Sequence, residues 1–165
     1  MRDDDEQYFT ADRQRGEGES FPSLSGRYTL TISEYRTKAE WGDYSRGIVR
    51  DKEGNVVVDV KRNYDPFPFC FVEHPNGHEY LVCGEDYQGQ TVVELDTGKR
   101  VDYVPPEAQE GLGFCWAAIE SAENATQLRV EGCCWACPYE IVLYDFSRPL
   151  ALPYPELSRS PAPPE

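Results

Sequence analysis

The chain has 165 residues with 30 acidic against 16 basic side chains, a formal net charge of −14. That length suits one domain able to bury a core without staples. So negative a surface repels phosphate backbones and anionic headgroups, which argues against nucleic acids and membrane surfaces as partners; it would draw in a basic partner, or simply serve solubility, the plainer reading.

Residues 1–20, MRDDDEQYFTADRQRGEGES, are charged and nearly free of aliphatic side chains. They bury too little to offset the entropy of ordering, so a disordered acidic tail is expected there. They contain no apolar core of a signal peptide, and no run of about eighteen apolar residues follows. The expectation is a cytoplasmic chain whose six cysteines, at positions 70, 83, 115, 133, 134 and 137, stay reduced.

From Phe21 onward strand signals dominate. RYTLTIS alternates, with Tyr28, Leu30 and Ile32 on one face and Thr29 and Thr31 on the other. Five hairpins follow. GIVR turns through DKEGN into VVVDV, FCFVEH through PNG into HEYLVC, and TVVEL through DTGK into RVDYV. AAIES turns through AENA into TQLRV, and EIVLY through DFSRP into LALPY. Each break holds Gly, Pro, Asn, Asp or Ser, residues that suit turn geometry. Only EAQEGLG suggests a helical turn. The closing SRSPAPPE, residues 158–165, is expected to be a disordered proline-rich tail, which leaves a single all-β domain over 21–157.

The hairpins superimpose as a repeat. Asp51, Asp96 and Asp145 each open a turn, 45 and 49 residues apart, and Asp43-Tyr44 recurs as Asp86-Tyr87. The pattern predicts three tandem antiparallel four-stranded repeats of about 45 residues, arranged as propeller-like blades or as a β-trefoil-like closed barrel. Within it, GDYSRG and EDYQGQ fill the loop between the second and third strands of their units. Asp43, Tyr44, Arg46, Glu85, Asp86, Tyr87 and Gln88 are therefore the candidate binding residues. On one view they organise their own loops through carboxylate–amide bonds and ring packing. On the other they form a binding rim on a rigid scaffold.

Other chemistry is sparse. Cys134 and Cys137 form a Cys-x-x-Cys, but a zinc ribbon needs a second pair and a redox motif a helix N-terminus. The cysteines read better as core residues, since Cys70 and Cys115 fall at matching strand positions. His74 and His78 flank PNG and provide two ligands at most. Trp41, Trp116 and Trp135 fall one in each repeat. No nucleophile elbow, Walker loop or dinucleotide fingerprint is present. The sequence points to a non-enzymatic protein-binding module for a basic partner, with no cofactor or metal. The alternative is a carbohydrate-active or other hydrolase using Asp43, Glu85 and Asp86 with Tyr44 and Tyr87.

Overall fold

A computed structural model describes residues 3–38 and 42–163. Twelve strands form three separate four-stranded antiparallel sheets, each a meander in chain order. The first holds β1 (Gln14–Pro22), β2 (Tyr28–Tyr35), β3 (Tyr44–Asp51) and β4 (Val56–Arg62). The second holds β5 (Cys70–Glu73), β6 (Glu79–Cys83), β7 (Gln90–Glu94) and β8 (Lys99–Tyr103). The third holds β9 (Phe114–Ser121), β10 (Gln127–Cys134), β11 (Glu140–Asp145) and β12 (Glu156–Pro161). Among the described residues the only helical pieces are 3₁₀ turns at Asp3–Tyr8 and Pro106–Glu110, and no helix is long and apolar enough to cross a membrane. No strand of one sheet pairs with a strand of another, so no closed barrel forms among the described residues.

The chain divides into two compact units. One comprises Met1–Phe67 with Glu85–Tyr87, the other Pro68–Gly84 with Gln88–Glu165. Both expected tails are corrected. Residues 14–22 are β1, laddered onto β2, and residues 156–161 are β12, laddered onto β11. These are edge strands held by backbone hydrogen bonds, so they need no apolar face to be ordered. The expected strand LALPY is also corrected. It belongs to the connection between β11 and β12, where Ala151 N–H donates to the Arg148 carbonyl and the Tyr154 hydroxyl to the Pro149 carbonyl. Three prolines in its ten residues, Pro149, Pro153 and Pro155, remove ladder donors there.

In the first unit, alternation along β3 buries Ser45, Gly47 and Val49. Register sets Leu30 against Val49 and Val49 against Val58, all three buried. Gly47 leaves room for the Phe67 ring, whose Cζ would stand 2.6 Å from a Cβ at this position. In the second unit, the facing sides of the second and third sheets form one core. Val72, Tyr80, Val82 and Val92 meet Trp116, Leu128, Val130 and Phe146. The opposite face of the second sheet is buried as well, at Leu81, Cys83, Thr91 and Val93. The first strands of these two sheets, β5 and β9, lie against one another.

Candidate functional site: an aromatic groove and two Asp–Tyr loops

The two Asp–Tyr loops fall where the repeat puts them, between the second and third strands of their sheets. In the first, the Asp43 carboxylate takes an ion pair from Arg15 at 2.5 Å and the Thr37 amide at 3.4 Å. The Tyr44 hydroxyl donates to Asp5 at 3.0 Å, and its ring is met by Tyr8 and Phe9 at 5.5 and 5.9 Å. Arg46 grips Asp59 across the ladder through two bonds of 2.8 and 2.6 Å. That fork keeps the guanidinium charged.

In the second loop, residues 85–87 close on Asn63. The Glu85 carbonyl accepts the Asn63 amide at 3.1 Å, Asp86 Oδ2 accepts the Asn63 side chain at 2.9 Å, and the Tyr87 amide donates to Asn63 Oδ1 at 2.9 Å. The Tyr64 and Tyr87 rings lie 5.6 Å apart. Ser45 pairs with Arg62, so the start of β3 and the segment after β4 share one end of the first sheet. Asp43 and Asp86 therefore gather at one end of that sheet. Asp65 feels the first of them: burial first, then the Glu34 and Asp43 charges, push its carboxyl above the usual range. Asp43, Tyr44, Arg46 and Asp86 are thus each engaged by a side chain from elsewhere in the first unit.

Gln88 serves the second unit. It is buried, its Oε1 accepts the Gly113 amide at 2.8 Å and its Nε2 donates to the Ala108 carbonyl at 3.2 Å. One amide side chain thus pins the segment that carries the second 3₁₀ turn. Gln88→Ala should leave the buried Gly113 N–H unpaired and destabilise the fold by about 1–3 kcal/mol. Amide exchange through residues 105–113 should quicken with a lower urea midpoint, and unchanged exchange there would refute the pinning role.

That pinned segment borders a groove of about 240 Å³ between the second and third sheets. Tyr103, Leu112, Phe114, Trp116, Tyr144 and Tyr154 give it aromatic and aliphatic walls; Gln90, Glu107 and Cys134 are polar or polarisable points on its lining. Trp116 and Tyr144 stack with ring centres 5.3 Å apart, and the indole Nε1 is buried without a well-formed hydrogen bond, with the Tyr144 hydroxyl as its polar neighbour. Burial pushes the Tyr144 and Tyr154 phenols above their ordinary range, so both remain neutral donors. Leu112 on its lining is 61% exposed, and Trp135 and Tyr139, in the connection between β10 and β11, are 55% and 49% exposed.

The cysteines are free thiols. Burial raises Cys70 to about 11 and shifts Cys133 in the same direction, which keeps these thiols protonated and unreactive. No group of three or more metal-ligating side chains occurs among the described residues. His74 is buried and His78 pairs with Asp96, so the two histidines have separate roles. Trp41 lies outside the described residues.

Sequence reasoning marked Trp116 but missed the groove. Its aromatics come from β8, β9, β11 and the segment before β12, far apart in the chain. The available signal was the recurrence of aromatics at strand ends.

Among known proteins, no family model matches the chain. It is 36% identical over 143 residues to the uncharacterized protein R762 of Acanthamoeba polyphaga mimivirus, an alignment that covers 86% of this chain and 56% of that protein. The chain thus spans little more than half the length of this relative.

Proposed function

We propose that the chain is a non-enzymatic β-repeat module that binds an extended, basic segment of a partner protein. On this proposal its three sheets are successive propeller-type blades. The aromatic groove carries the proposal: flat rings suit the side chains of an extended peptide. The Glu107 carboxylate on the lining and the net charge of −14 favour lysine and arginine in that peptide. Face-to-face packing of the second and third sheets, with their first strands adjacent, supports the blade arrangement over a trefoil. The hydrolase alternative draws less support, because Asp43 and Asp86 are engaged by Arg15 and Asn63.

The test is a fluorescence titration with a library of extended ten-residue peptides, basic, neutral and acidic. Basic peptides should bind best and weaken as salt rises. Tyr103→Ala should reduce their affinity about tenfold, corresponding to about 1.4 kcal/mol. Equal binding of acidic and basic peptides, or no response to Tyr103→Ala, would overturn the proposal.

A further inference from the structure

At the other end of the seam between the second and third sheets lies a cleft of different character, about 510 Å³ in volume. Its chemistry follows from register. Tyr80 on β6 stands directly opposite Glu94 on β7. Two residues before Tyr80 and two after Glu94, on the same face, His78 meets Asp96, with Nδ1 and Oδ2 3.0 Å apart. Asp96 as acceptor draws the ring hydrogen onto Nδ1, so Nε2 of the neutral imidazole is an acceptor.

Glu94 is only 5% exposed, yet it lines this cleft. Its oxygens accept the Tyr80 hydroxyl at 2.8 Å and the Thr97 hydroxyl at 2.6 Å, and Asn76 donates in turn to the Tyr80 oxygen at 2.8 Å. The Thr97 bond above all holds the carboxyl below its ordinary range. Glu94 is thus an anion whose hydrogen bonds come from neutral hydroxyls, while Lys99, opposite it on β8, and His78 act on it through space.

The facing wall is the connection from Ser147 to Ala151. Arg148 is exposed there, and its guanidinium makes no hydrogen bond or ion pair among the described residues. It influences Asp145 only through space. Pro149, Leu150 and Ala151 give this wall an apolar lining. One cleft therefore holds a carboxylate and a guanidinium on opposite walls.

We infer that this cleft binds a small zwitterion of the amino-acid class. Its ammonium sits on Glu94 and His78 Nε2, its carboxylate on Arg148, and an aliphatic side chain lies along Pro149 and Leu150. The volume suits a ligand of that size, and an arginine fork suits a carboxylate. The site is separate from the aromatic groove and does not depend on what the groove binds.

The test is calorimetric titration of the full chain with the aliphatic L-amino acids, using n-butylamine and butyrate as probes carrying one charge each. At least one amino acid should bind about tenfold or more tighter than either probe. Arg148→Gln, a change at an exposed side chain, should bring that amino acid down to the affinity of the amine. Glu94→Gln should abolish both. Amine binding as tight as the best amino acid would overturn the inference in favour of a simple cation site. Tighter binding of butyrate, no heat from any aliphatic amino acid at millimolar concentration, or an Arg148→Gln variant that binds like the parent would each overturn it outright.

Discussion

Gly132→Ala should cost the protein about 3 kcal/mol of stability, near the upper end for overpacking a core. Gly132 is buried in β10, opposite a bulge in β9: Glu131 pairs with Ala118 while Gly132 pairs with Trp116, so Ala117 is left over. The bulge brings the Cys115 backbone in close. An added Cβ would sit inside the contact envelope of the Cys115 carbonyl oxygen, 3.0 Å from its carbonyl carbon and 3.2 Å from the Phe114 ring. A side chain could swing aside, but a laddered carbonyl cannot move without breaking the bulge. Gly98→Ala is the control. Gly98 has a φ of 73° with open space around it, so alanine there should lose about 1 kcal/mol to strain alone. Urea unfolding of the two variants gives the comparison. If Gly132→Ala unfolds no earlier than Gly98→Ala, the close approach of β9 to β10 is wrong.

The central strands of each sheet were legible because each buries one face or both. Leu30 and Ile32 in β2, and Leu128 and Val130 in β10, recur at every second residue, and the turns between strands carry Gly, Asn and Asp. The edge strands β1 and β12 were not. β12 is exposed at every position and β1 at most of them, so neither carries an apolar alternation to detect. LALPY misled for the opposite reason. Its Leu150, Leu152 and Tyr154 pack against the core as strand residues would, but from an irregular connection. Nor does the division into two units follow a linker. It passes between Phe67 and Pro68 and claims Glu85–Tyr87 out of the middle of the second sheet's chain.

The candidate residues divide along physical lines. Asp43, Tyr44, Asp86 and Tyr87 were found because short-range pattern marks loops, and loop-organising contacts are short-range or one sheet-end away. Gln88 belonged to neither expected role, since its partners Ala108 and Gly113 lie about twenty residues on and bind through backbone atoms that leave no sequence trace. The Glu94–Tyr80 and Asp96–His78 pairs required the register of β6 against β7, which alternation alone leaves free to slip by two. A groove or cleft is a property of two packed sheets, and single-strand patterns do not carry it.

Phe146→Ala should be the most damaging aromatic truncation in the chain, at about 3–5 kcal/mol. Phe146 is fully buried and follows β11 directly, its amide donating to the Thr126 carbonyl at 2.8 Å. Three rings meet it edge to face: His74 at 5.8 Å, Tyr80 at 6.0 Å and Tyr154 at 5.2 Å. Two of those neighbours are already committed. Tyr80 is tied to Glu94 and Asn76, and Tyr154 to the Pro149 carbonyl. The rings are therefore poorly placed to collapse into the space that alanine leaves, and a cavity that cannot close is what moves such a truncation toward the top of its range. Phe146→Leu, which keeps most of the volume, should cost less than half as much. The loss should also reach beyond the core, because Tyr154 and Pro149 anchor the wall that carries Arg148. Amide exchange in residues 147–154 should accelerate more than in β6 or β7. Thermal unfolding of Phe146→Ala within about 1 kcal/mol of the parent would mean that the second and third sheets do not close on this ring.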